Sequence, residues 1–268
     1  MESSNMPTIA QVCEFLENFA PSSLAEDWDN VGLLVGDRER TVERIMTCLT
    51  ITPESAAEAC AERADLIIAH HPLPFRPLKR LTTDTTVGRI LLDLIRANVA
   101  IYSPHTAFDS ASAGINQRLA EGLGLTEIAP LIPIDGDADN LGAGRFGCLS
   151  KESTISEVAN TLKVFLRVDS LHCVGKFEST VRKVAVACGS AGQFLEPAQE
   201  LGCDLLVTGE TNFHTCLEAE STGVALLLPG HYASERFAVE HLADVIASEF
   251  NELSVWPSHR ETDPLRWF

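Results

Sequence analysis

The strongest constraint on this chain is a pattern that occurs twice. The segment beginning at Val42 (VERIMTCL) aligns without a gap on the segment beginning at Val181 (VRKVAVAC). Twenty-three residues into each, an aspartate leads an apolar run: Asp65-Leu66-Ile67-Ile68 and Asp204-Leu205-Leu206-Val207. The runs end in Ala-His-His and Thr-Gly-Glu, so His71 falls opposite Glu210. Each copy then passes through a helical stretch into a second aliphatic strand, Val99-Ala100-Ile101 or Val224-Ala225-Leu226. After Pro104 comes His105-x-x-x-Asp109; after Pro229 and one extra glycine comes His231-x-x-x-Glu235. Apolar strands resemble one another by chance, but a shared H-x-x-x-[D/E] after the same elements argues for internal duplication.

The rest of the pattern is that of α/β units. Thr8 to Phe19 reads as an amphipathic helix opened by a Thr8-x-x-Gln11 capping box, with Ile9, Val12, Phe15, Leu16 and Phe19 inward. A loop from Pro21 to Asp37 follows. Strand-like runs at Arg44–Ile51, Asp65–Ala69 and Val99–Ser103 alternate with helical ones at Glu54–Glu62, Val87–Arg96 and Ile115–Gly122. The second half predicts strands near Arg145–Leu149, Ser170–Val174, Val181–Cys188, Asp204–Thr208 and Val224–Leu228. It also predicts helices over Phe194–Leu201 and residues 233–249, the latter with Phe237, Val239, Leu242, Val245 and Ile246 inward. The Gly- and Asp-rich stretch 132–144 is the expected boundary. Two similar α/β domains, 1–128 and 129–268, follow, with a C-terminal segment able to pack back on the first.

Composition excludes several classes of function. Thirty-eight acidic against twenty basic side chains give a net charge of −18, which repels phosphate backbones and anionic membranes. The richest basic run, Arg76 to Arg80, holds three cations, so nucleic acid is not an expected partner. No apolar run reaches the ~18 residues that would span a bilayer, and residues 1–7 carry no export signal, which makes the cytoplasm the expected compartment. The eight cysteines are scattered without a C-x-x-C and read as buried thiols rather than disulfides or nucleophiles.

Ionisable side chains gather at the C-terminal ends of three apolar strands: His70 and His71, then His105 and Asp109, then His231 and Glu235. In open α/β sheets that edge carries the ligand crevice, and imidazole with carboxylate is a donor set for zinc, iron or manganese. Four histidines and two acids suffice for two ions. If a helix begins at His231, the spacing puts Glu235 on the same face. Taken singly, Asp109 could cap a helix beginning near Ser112 and Glu235 could be an exposed helix residue; their convergence favours a metal site. Histidines 172, 241 and 259 read as structural, and so does His214, although it follows Gly209-Glu210 closely enough in sequence to leave a site role open. Gly189-Ser190-Ala191-Gly192 could offer N–H groups to an anion, but it lacks the Lys-Ser/Thr of a phosphate loop and reads as a tight turn.

The motifs AEDWDNVGLLVGD (25–37), LIIAHHPLPF (66–75), SPHTAFD (103–109), VTGETNFH (207–214), PGHYASE (229–235) and ETDPLRWF (261–268) resemble, in order, those of the Nif-three-like dinuclear-metal family, often labelled GTP cyclohydrolase 1 type 2-like. The resemblance implies two similar α/β domains assembled into a toroidal homohexamer. It also implies metal ligands at His70, His71, Asp109, His231 and Glu235, with His105 close by. Thr50 stands where the family pattern carries an aspartate, Phe213-His214 replaces a paired His-His, and the domain inserted between the halves of larger relatives is absent.

Two readings of function follow. The first is a metal-activated-water hydrolase of a small, GTP-like or other molecule, with two divalent ions per subunit and His105 or Glu210 as proton shuttle. The second is a non-catalytic metal-binding or scaffold protein, for which an acidic shell and ring assembly are equally apt.

Overall fold

Helix α1 (Ile9–Phe19) starts where the capping box predicts: Thr8 Oγ1 accepts from Gln11 N, and Gln11 Oε1 accepts from Thr8 N. The structure is a computed structural model that describes residues 6–134 and 141–266. Part of the expected boundary stretch, 135–140, and Trp267 and Phe268 of the last motif lie outside the described residues. The chain divides into two compact units, Met1–Phe108 with Ala238–Phe268, and Asp109–Phe237.

The first unit is built on a parallel core of β2 (Arg44–Cys48), β3 (Leu66–Ala69) and β4 (Ala100–Ser103). Helices α2 (Pro53–Ala61) and α3 (Thr86–Arg96) supply the crossovers, capped by Thr52 and Thr85. Every residue of β3 and β4 is buried, the mark of parallel strands covered on both faces. Met46, Ile67 and Ile101 pack with Ala59, Ile90 and Leu94. Two additions complete this sheet: β1 (Gly32–Val35) runs antiparallel to β4, and β13 (Ser254–Pro257) lies parallel to β2. The strand β1 falls in the stretch read as loop; its four residues are all half-buried and carry no alternation to reveal it. Helix α4 (His105–Ser110) leads out of this unit.

The second unit holds α5 (Ile115–Gly122), β5 (Thr126–Ala129), the small β6–β7 ladder (Ile132–Pro133, Gly142–Ala143), and β8 (Arg145–Thr154). Next come α6 (Ile155–Leu166), β9 (His172–Val174), β10 (Thr180–Ser190), α7 (Leu195–Glu200), β11 (Leu205–Glu210), α8 (Phe213–Thr222) and β12 (Ala225–Leu228). Its parallel core is β10-β11-β12, extended antiparallel by β8 and β5 on one side and β9 on the other. Val184, Val186, Leu205, Val207 and Leu227 face α5 and α6, while Ala185, Ala187, Leu206 and Leu226 face α7 and α8, the two-residue alternation of a sheet covered twice.

The division falls before residue 128 because α5 and β5 belong to the second sheet. Leu119, Leu123 and Leu125 enter its core and β5 pairs with β8. Helix α6 has no counterpart among the expected elements, although Thr154-x-x-Glu157 is a complete capping box. The helix expected over Phe194–Leu201 is present as α7, preceded by a 3-10 turn, Gly192–Phe194.

Several hydrogen bonds recur at matching positions of the two units. Asp65 Oδ2 accepts from the N–H groups of Glu43 and Arg44, 2.9 and 3.0 Å away. Asp204 Oδ2 accepts likewise from Arg182 and Lys183, at 2.8 and 2.9 Å. Arg44 Nε donates to Glu62 O, and Lys183 Nζ to Leu201 O. The carbonyls of the same two aspartates accept from Ala100 N and Ala225 N. A carboxylate at the head of the second strand thus ties down the start of the first and fixes their register.

Candidate metal centre

In the first unit, β3 ends at Ala69, and its next two residues are kept in line by the neighbouring strand: His70 N donates to Cys48 O and His71 N to Leu49 O. His105 begins α4 just beyond β4. The three imidazoles form one cluster, with ring centroids 5.0 Å (His70–His71), 5.2 Å (His70–His105) and 5.6 Å (His71–His105) apart. One nitrogen from each lies within 4.8 Å of the others. His70 is 2% exposed.

Oxygen partners orient two of these rings. Thr50 Oγ1 lies 2.7 Å from His71 Nδ1, so this threonine reaches one of the expected ligands. Thr50 is itself held by Glu261, whose carboxylate accepts from the N–H groups of Leu49 and Thr50. Asp29 Oδ1 lies 2.7 Å from His105 Nδ1. Burial works against ionisation of Asp29, but hydrogen bonds from His105 and Thr106 prevail and hold its pKa at about 2. Trp28 and Phe75 also approach His105 edge-on, each ring centroid 6.0 Å from it.

In the second unit, His231 opens α9 (His231–Glu249), the helix expected from residue 233, and Glu235 follows one turn on. His231 Nε2 is 3.1 Å from Glu235 Oε2, and His231 Nδ1 is 2.9 Å from Glu210 Oε1 at the end of β11. Hydrogen bonding to Glu235, opposed by burial and reinforced by Glu210, raises the His231 pKa to about 9. Glu235 is 3% exposed, which removes the reading of it as a surface helix residue. Gly189 (φ +66°) makes room for it: a Cβ there would collide with Glu235 Oε1. Gly189 N donates to Ser234 Oγ, so the glycine-rich segment serves as the expected turn.

Asp109 lies inside α4, and α5 begins at Ile115 with Gly114 at its cap. Asp109 therefore does not cap that helix. Its Oδ1 accepts from the Cys188 thiol at 3.1 Å, and Asn116 joins the two segments by donating to Asp109 O and accepting from Cys188 N. The cysteines were not expected at the site, yet Cys188 is there. Burial, then the charges of Asp109 and Glu235, push its thiol well up, so it stays a proton donor to Asp109. All eight cysteines are free. Among the described residues, His172, His214, His241 and His259 join no metal-competent group.

The donor chemistry fits a divalent transition metal: imidazoles in the first unit, imidazole with carboxylates in the second. An oxygen on the Nδ1 of a histidine is the usual support of a ligand that binds through Nε2. Asp29, Thr50 and Glu261 were not among the expected site residues, although Asp29 and Glu261 lie in two of the family-like motifs and Thr50 stood out as a departure from the family pattern. Among the described residues no helix is long and apolar enough to cross a membrane.

Fold and donor sets together define a mixed α/β protein with clustered histidine and carboxylate side chains able to bind metal. Comparison with known proteins narrows this class. Residues 7–264 match the Duf34/NIF3 (NGG1p interacting factor 3) family, and the chain belongs to it. It is 39% identical over 226 residues to the GTP cyclohydrolase 1 type 2 homolog of Clostridium perfringens, covering 84% of this chain and 85% of that one. It is 35% identical to NIF3-like protein 1 of Drosophila melanogaster, covering 96% and 88%. Among solved structures, the Bacillus cereus protein related to NIF3 superposes with a TM-score of 0.90 at 24% identity, covering 99% and 100%. Staphylococcus aureus SA1388 gives 0.89 at 27%, covering 98% and 100%.

Proposed function

We propose that this protein binds two divalent metal ions per subunit through His70, His71, Asp109, His231 and Glu235, and that it hydrolyses a small molecule with them. The observation that carries the reading is the pair of imidazoles, His70 and His71, at the end of β3, each offering a nitrogen within 4.8 Å of the other, with His105 beside them. The His231–Glu235 pair and Asp109 supply the anionic donors that a divalent pair requires. Bound there, such ions acidify water and neutralise the charge that develops on a displaced oxygen. Around them, Glu210 accepts from His231 Nδ1 and so turns Nε2 toward Glu235. Cys188 and Asn116 hold Asp109 in place, and His105 carries the proton between substrate and solvent.

The name borne by the bacterial relatives makes GTP the first substrate to assay. The matching Asp65 and Asp204 clips, with the aligned H-x-x-x-[D/E] motifs, support descent of the two units from one duplicated ancestor, with the metal site at the strand C-terminal ends. A homohexamer in the cytoplasm is the assembly proposed, without membrane or nucleic-acid partners.

The test has two stages. Protein purified without a metal-affinity tag should contain about two transition-metal ions per chain by elemental analysis, as the dinuclear reading requires. Metal-loaded protein should then turn over GTP or a member of a phosphoester and cyclic-amide panel. Tight metal binding without turnover on the whole panel would favour the non-catalytic reading. No metal after reconstitution would remove both.

A further inference from the structure

His105 is gripped by a loop far from it in sequence. Asp29 Oδ1 meets its Nδ1 at 2.7 Å, while Asp29 Oδ2 accepts from the N–H and hydroxyl of Thr106. Asp29 is fully buried at its side chain, and its own loop is fixed in turn. Asp29 N donates to Glu26 O, Glu26 N donates to Thr106 Oγ1, and Asn30 Nδ2 donates to Pro74 O beyond the His70-His71 pair. His105 has a backbone φ of +26°, a region that a side chain bearing a Cβ rarely occupies and that persists only when the surroundings over-determine it. One carboxylate is the hub of that over-determination.

We infer that Asp29 is a positioning residue that fixes His105 with its proton on Nδ1 and its lone pair on Nε2, making Nε2 the nitrogen that takes the proton in the reaction. The chemistry is directional. Asp29 accepts four hydrogen bonds, from Asn30 N, Thr106 N, Thr106 Oγ1 and His105, and an ionised carboxylate can only accept. The proton between it and His105 therefore sits on Nδ1. The ring cannot turn over without breaking that bond, and the rings of His70, His71, Trp28 and Phe75 stand around it. In the second unit the histidine that starts α9 meets a carboxylate through the same nitrogen, with Nε2 directed at Glu235. The inference rests on the hydrolase reading for the use made of Nε2, but not for the tautomer itself.

The test is a long-range proton–nitrogen correlation spectrum of full-length, zinc-loaded protein labelled in its histidines, with His105→Gln identifying the His105 signals. Wild-type protein should show His105 protonated on Nδ1. In Asp29→Asn the amide can donate to Nδ1, so the proton should move to Nε2 while zinc content stays unchanged. Asp29→Glu should restore the wild-type tautomer. On any substrate the wild type turns over, Asp29→Asn should lower kcat about 100-fold or more with little change in KM. Wild-type His105 protonated on Nε2, or an unchanged tautomer in a folded Asp29→Asn, would overturn the inference. If Asp29→Asn does not fold, the wild-type spectrum still decides. Absence of turnover in a wild type with the expected tautomer would count against the hydrolase reading and leave the positioning role standing.

Discussion

The two units share a three-stranded parallel core with different side chains at its end. After β3 the first presents two histidines, one of them 2% exposed; at the matching place the second presents Gly209 and Glu210. The first unit's cluster is three imidazoles. The second unit combines one imidazole with Glu210 and Glu235, its His231 side chain 33% exposed. The strand-tying aspartates, by contrast, are nearly superimposable in their bonding. The lesson is a division of labour within one pattern: residues that fix strand register are kept in both units, while residues at the strand ends are free to specialise. Neutral imidazoles tolerate burial without a counter-charge, whereas carboxylates need cations or donors around them.

That contrast can be broken experimentally. The largest effect is expected from His70→Ala combined with Glu235→Ala, one donor from each unit, which should abolish metal binding in elemental analysis. Retention of two ions would mean that neither unit supplies the site. Glu210→Gln should lower metal affinity about 10–100-fold in a competitive chelator titration, because the support of His231 is weakened. Equal affinity would show that the carboxylate on Nδ1 is incidental.

Gly189→Ala forces a Cβ onto Glu235 at a positive φ and should cost about 1–3 kcal/mol in reversible unfolding. Symmetric losses of similar size are expected from Asp65→Ala and Asp204→Ala, about 1–3 kcal/mol each by the same assay. A large asymmetry would undo the equivalence of the two clips. Titration gives the subtlest sign. In the metal-free protein the His231 pKa of about 9 lies above the ordinary value of ~6.5. Its pairing with Glu235 and Glu210 therefore adds stability that is fully present below pH ~6.5 and lost as pH rises through about 9. Thermal melts of wild type against His231→Gln between those limits should converge toward the upper one. Metal binding near pH 7 should release a proton from this histidine, measurable in calorimetry run in buffers of different ionisation heat.

Much was legible without coordinates wherever information is local. Thr8 and Gln11 announce α1, the His231–Glu235 spacing announces one helical face, and the alternation of aliphatic runs with ten-residue helical runs announces α/β units. Thr154 and Glu157 mark the start of α6 just as clearly, between strand-like flanks. The matching aspartates were also in view, since a carboxylate that ties two strands stands at a fixed distance from them in each unit.

What only the tertiary structure decided depends on pairing across long stretches of chain. The sequence cannot say that β13 joins β2, that α5 and β5 belong to the second sheet, or that β1 lies beside β4, since strand pairing is settled by which edges remain when the cores are full. The same holds around the proposed metal ligands. Asp29 reaches His105, Glu261 reaches Thr50, and Cys188 reaches Asp109 through folds that bring distant segments together, and a hydrogen bond leaves no periodicity behind. Ligand types are written in the residues, but the oxygen atoms that aim them are placed by the fold.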